Sequence, residues 1–205
     1  MMRRILRLLV CGVAVLSLVA CTPTGRAVGD TQDSMPSIAH DSTHKTDITV
    51  GFVGSTDTAA DKKAIDALAD DTLNVYYASL DTPGDSETAD KIAATAQQGV
   101  TDFVDRAVKI VIISGIDVTD ANRDSWNQAL TNAREAGIPV ALLNPKHAPE
   151  DELLYAAILN TDDAASAKSV SIADAVITIA RDEPHDRTIA CLLYTSPSPR
   201  DISGS

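Results

Sequence analysis

The chain has 205 residues, 44% of them hydrophobic and only 3% aromatic, with a formal charge of −12. A surface this acidic repels nucleic acid, whose binding depends on Lys and Arg neutralising phosphates; it favours solubility and says little about fold. Three cysteines, Cys11, Cys21 and Cys191, supply no disulfide framework, so the body must hold itself together by core burial.

The opening residues combine a basic start, Arg3, Arg4 and Arg7, with an apolar run over 8–18 that closes on Leu18-Val19-Ala20-Cys21. That run is shorter than the ~20 residues a bilayer span requires, and it ends on small residues, as a cleaved secretory signal does. The cysteine after the small residue resembles the lipobox of bacterial lipoproteins. The resemblance implies that residues 1–20 are removed, that Cys21 is diacylated, and that the exported protein is lipid-anchored to the outer face of the bacterial cytoplasmic membrane. Two or three acyl chains, each adding ~0.8 kcal/mol per buried methylene, hold a protein at a membrane surface. Losing the signal removes three arginines and no acid, so the charge of −12 becomes −15. Residues 21–46 then read as a lipidated flexible tether, because 22–46 is rich in Thr, Ser, Pro, Gly, Asp and His with no apolar period.

From Asp47 onward, short β-branched runs alternate with Ala-rich segments of helical period. The pattern predicts a strand over 48–53, a helix over 58–69, a strand over 74–78 and a long helix over 86–107. Gly99 inside that helix costs ~1 kcal/mol relative to Ala and marks a place for a kink. Ile110-Val111-Ile112-Ile113 is apolar without alternation, the mark of a strand buried on both faces. A helix over 120–136 follows, ending at Gly137 as a natural C′ residue. Strands over 138–143 and 154–159, a helix over 163–181 and a sixth strand from Thr188 complete the series. Strand–helix alternation means parallel strands joined by right-handed crossovers and covered on both faces. The fold class is α/β, a doubly wound parallel sheet.

From Cys191 the text reads Cys-Leu-Leu-Tyr-Thr-Ser-Pro-Ser-Pro-Arg-Asp-Ile-Ser-Gly-Ser. It matches an in-frame translation of a transposase-type sequencing-library adapter, and Ser-Pro-Ser-Pro cannot continue a central strand. Residues 191–205 are therefore expected to be foreign, and the rest to be the front part of a longer protein.

In open parallel sheets, ligands bind beyond the carboxyl ends of the strands. The segments there contain Ser55 and Asp57, Asp81, Asp117, and Asn144. Hydroxyl, carboxylate and amide groups hydrogen-bond a polyol, and an ionised Asp only accepts. Asp, Ser and Asn after strands are also common N-caps and turn formers, so at each position both roles stay open; Asp120, Asp162 and Asp163 are assigned as caps. There is no Gly-x-Ser-x-Gly elbow, Walker loop, His-Glu-x-x-His or Cys-x-x-Cys. His147 and His185 read as isolated loop residues, and Trp126 as a packing residue of its helix.

Three stretches carry a family resemblance: Ile48-Thr49-Val50-Gly51-Phe52, residues 109–117, and Ala133-Arg134-Glu135-Ala136-Gly137-Ile138-Pro139-Val140. Together with residues 154–163 they resemble type I periplasmic sugar-binding proteins, the ribose- and galactofuranose-binding group that feeds ABC importers. The resemblance covers about residues 47–190. It implies an N-terminal sugar-binding lobe over 47–143 and the beginning of a second lobe over 144–190. It further implies a monomer that captures a small sugar and docks on ABC permease subunits, without catalysis, cofactor or metal. Ligand contact carries over to Asp117 first, then to Asp81 or Asp85, and to Ser55 and Asp57. This chain lacks the aromatic pair often found after the first strand, and has Asn144-Pro145 where many members have Asp-Arg, so the identity of the sugar does not carry over. Two competing readings are a lipoprotein of this fold for a nucleoside or signalling furanose, and a tethered α/β hydrolase or transferase with catalytic residues downstream.

Overall fold

The computed structural model describes residues 25–32, 44–80, 89–162 and 168–193. Seven strands form one sheet: β1 (Thr49–Val53), β2 (Asn74–Ala78), β3 (Ile110–Ser114), β4 (Val140–Leu143), β5 (Ala157–Asn160), β6 (Val170–Ser171) and β7 (Thr188–Leu192). Their order is β2-β1-β3-β4-β5-β7-β6, and every neighbouring pair is parallel. Four helices cross between them: α1 (Thr58–Asp70), α2 (Ala89–Asp105), α3 (Arg123–Glu135) and α4 (Ile172–Ala180).

Period-two side-chain alternation sorts these strands between two cores. Val50, Phe52, Ile110, Ile112, Ala141 and Leu143 face one way and pack with Leu68 of α1 and with Ile172, Val176 and Ile179 of α4. Val53, Val111, Ile113, Val140 and Leu142 face the other way, against Val100 and Phe103 of α2 and Trp126 and Leu130 of α3. Both faces are dry, which is why β3 and β4 read as unbroken apolar runs. Trp126 packs as expected, at 2% exposure. The sheet is doubly wound.

Several boundaries differ from the sequence reading, each for a local reason. Gly99 does not break α2; a Cβ there would stand 3.2 Å from Ala78 and 3.4 Å from Val53, so the missing side chain lets the helix lie close to the sheet. α3 begins at Arg123 rather than near Asp120, because Asn122 binds the preceding loop: its Oδ1 accepts from the Thr119 N–H and its Nδ2 donates to the Asp117 carbonyl. Gly137 ends that helix with φ +72°, as expected. Of the helix expected over 163–181, residues 163–167 lie outside the described residues; α4 begins at Ile172, where Ser171 caps it by accepting from the Asp174 N–H at 2.9 Å. Val170 and Ser171, released from the helix, pair with Cys191 and Leu192. Strand β5 begins at Ala157, three residues late, behind a 3-10 turn at Glu152–Leu154.

Residues 157–192, past the boundary that the resemblance draws at 144, supply β5, β7 and β6 of this same sheet. Strand β7 runs through Cys191, which is fully buried. Residues 25–32 lie against the body rather than free in solvent: Ala27, Asp30 and Thr31 are each 5% exposed or less.

Candidate functional site

Because all strands are parallel, all their carboxyl ends lie along one edge. Backbone bonds carry the ladder just past those ends. The Gly54 N–H donates to the Ala78 carbonyl, Gly115 N–H to Leu143, and Asn144 N–H to Leu159. The turns that follow start from fixed points. Two of them bend at once through the left-handed region, Gly115 with φ +60° and Asn144 with φ +44°; asparagine tolerates that conformation better than most residues.

The β1 turn is organised by a residue the sequence reading did not single out. Asp61, in the first turn of α1, is fully buried. Its Oδ2 accepts from the Ser55 N–H at 2.6 Å and its Oδ1 from the Ser55 hydroxyl at 3.0 Å. The Ser55 Oγ in turn accepts from the Asp57 N–H. Asp57 caps α1, its Oδ1 accepting from the Ala60 N–H at 3.0 Å. Ser55 also abuts the β3 turn, since a Cβ on Gly115 would stand 3.2 Å from its own.

Beyond β3, Asp117 meets His147 from the turn after β4 across a single parallel bridge. The Asp117 Oδ1 and His147 Nδ1 are 2.7 Å apart, with both side chains well exposed. An ionised carboxylate only accepts, so Nδ1 is the donor of this bond. An exposed pair of this kind is worth ~0–1 kcal/mol; it orients the two groups more than it stabilises the fold. Asn144 is tied to the turn after β5. Its Nδ2 donates to the Thr161 hydroxyl at 2.6 Å and its Oδ1 accepts from the Thr161 N–H at 2.9 Å.

The structure therefore brings Ser55, Asp57, Asp117 and Asn144 to one edge, while Asp81, Asp85 and Cys21 lie outside the described residues. It adds Asp61, His147 and Thr161 as their partners. His147 is not isolated, and neither is His185, whose ring nitrogens lie 2.9 Å from the Asp186 carbonyl and 2.7 Å from that of Gly29. A hollow of about 430 Å³ opens to one side, between Ala78 and Ser79 at the end of β2 and Gln98, Gly99 and Asp102 of α2. None of the four rim residues lines it. Among the described residues no three His, Cys, Asp or Glu side chains stand together to hold a metal ion, and no helix is long and apolar enough to cross a membrane.

No family model matches the sequence, and no curated protein matches it. Solved structures show similarity to its fold. One is a Mycobacterium smegmatis protein in complex with β-D-fucofuranose, 19% identical, with TM-score 0.44, covering 59% of this chain and 37% of that one. Another is the periplasmic binding protein component of the arabinose ABC transporter from Shewanella sp. ANA-3, bound to α- and β-L-arabinofuranose. It is 18% identical, with TM-score 0.39, over 59% of this chain and 37% of its own. A third, a candidate pilus assembly-related protein from Burkholderia pseudomallei K96243, is 20% identical with TM-score 0.40, over 71% of this chain and 97% of its own. The chain spans little more than a third of the length of the two furanose-bound proteins, and its fold assignment rests on its own strand order.

Proposed function

We propose that this chain belongs to a membrane-tethered solute-binding protein that captures a monosaccharide for an ABC-type carbohydrate importer, and that it performs no catalysis. One observation carries the reading. Turns after neighbouring parallel strands set Ser55, Asp117 and Asn144 along a single edge, each held in place by a second polar group. A rim of fixed donors and acceptors suits a ring of hydroxyls. Asp117, exposed and oriented by His147, is the leading contact; Asn144 and Ser55 flank it, and Asp81 is proposed as a further contact on the strength of the sequence. Lipid on Cys21 supplies the tether and permease subunits the docking partner, both on the strength of the sequence. The foreign tail from Cys191 is part of the same proposal, and resequencing the locus should show the frame continuing past Ala190 with other residues.

Calorimetry of the full-length protein against a panel of furanoses and pyranoses tests the function. Saturable heat with one monosaccharide is expected, weakened at least ~10-fold by Asp117→Ala, equivalent to ~1.4 kcal/mol. No heat with any sugar, together with turnover of an ester or glycoside, would overturn it in favour of a tethered hydrolase.

A further inference from the structure

Residues 25–32 belong by composition to the tether, yet they are fastened to the domain, and every fastening falls at the edge where the strands begin. Arg187, immediately before β7, donates from Nη1 to the Asp30 carboxylate at 2.5 Å, and the Asp30 side chain is only 3% exposed. Its Nη2 donates to the carbonyls of Glu152 and Tyr155 ahead of β5, and the guanidinium sits 4.7 Å over the Tyr155 ring. The Thr31 hydroxyl donates to the Glu183 carbonyl at 2.6 Å, and Arg134 at the end of α3 donates to that of Arg26. Gly29, with φ +79°, fits where a Cβ would come within 2.8 Å of Pro139. Contacts from α3, β7 and the turns beside them make this segment a clip.

We propose that the clip fixes how the domain stands on the bilayer: the amino-terminal edge of the sheet faces the lipid surface and the ligand rim faces away from it. The inference rests on lipid anchoring through Cys21, as proposed above. With residues 22–46 free, the chain from Cys21 to β1 would wander over ~30 Å as a flexible coil. With the clip closed, the free lead runs only from Cys21 to Gly25, at most ~14 Å of extended chain. A short lead attached beneath the strands leaves the rim no way round to the membrane.

The test uses the full chain, acylated in a bacterial host and reconstituted into phosphatidylcholine–phosphatidylglycerol vesicles that contain a nitroxide-headgroup lipid. Single fluorophores are placed through Lys109→Cys at the amino-terminal edge or Lys146→Cys at the rim. Cys191 does not compete for label, because burial pushes its thiol up to about 12 and keeps it protonated. Quenching several-fold stronger at 109 than at 146 is expected. Inserting about a dozen Gly/Ser residues after Thr24 should bring the two labels to the same low value. Equal quenching in the uninterrupted chain, or stronger quenching at 146, overturns the orientation and leaves the anchor standing. Asymmetry that survives the insertion overturns the clip as its cause. A chain that carries no fatty acid and stays off the vesicles overturns both readings together.

Discussion

Asp61 is the side chain on which the rim most depends. It is fully buried, and it holds both the N–H and the hydroxyl of Ser55. Asp61→Ala leaves those donors without a partner and should cost ~2–3 kcal/mol, since hydrogen bonds to a charged group are worth more than neutral ones. Thermal unfolding should show the Tm falling by ~5–10 °C, with a smaller drop for Asp61→Asn, which keeps one acceptor oxygen. This residue also marks the limit of what the sequence discloses. The turns that carry Ser55, Asp117 and Asn144 could be located because strand ends are legible from apolar runs and topology places them. Their partners could not. Asp61 looks like any acidic residue in a first helical turn, and only the approach of helix to strand buries it. His147 meets Asp117 across thirty positions of chain, a distance over which no local pattern operates.

At the scale of elements, strand and helix types were legible from period and β-branching, while starts and stops turned on single side-chain hydrogen bonds such as those of Asn122 and Ser171. The seating of α2 on the sheet depends on two glycines used for close approach. At Gly51, in β1, a Cβ would lie 2.5 Å from the nearest Phe103 ring carbon. Gly51→Ala should therefore force the helix outward and destabilise the fold by ~1–3 kcal/mol. Adding Phe103→Leu should recover part of that loss, and a double-mutant cycle in urea would measure the coupling. The clip is the second test at this scale. Arg187→Ala strands a buried carboxylate on Asp30, a change that costs ~3–5 kcal/mol when the group stays inside. Release of the segment is the cheaper response. Limited proteolysis should then cut within residues 25–32 well before the sheet, whereas the parent chain should resist at both places.

At the scale of the whole molecule, Cys191 reports on global opening of the 205-residue chain, whose residues from 191 onward are proposed above to be adapter-derived. Burial raises its thiol from 9.0 to about 12, so the folded chain keeps a proton that the unfolded chain has released. The folded state thus binds more protons in that window, and stability falls as pH rises from about 9 to about 12, with a slope of up to ~1.4 kcal/mol per pH unit from this group. Cys191→Val should remove that component from a series of denaturant melts, while the titration of exposed lysines and tyrosines would persist in both proteins. Alkylation of the parent thiol near neutral pH should track complete unfolding and not local fraying.

The position of β1 between β2 and β3 also dictates an order of assembly. One side of β1 is filled by residues 74–78, but the other waits for residues 110–113. A growing chain cannot seat β1 on both sides until nearly half of residues 49–192 has been synthesised. Parallel pairings across such long stretches are intrinsically slow to form. During that interval the nascent protein exposes an unfinished hydrogen-bonding edge, open to whatever receives it from the ribosome.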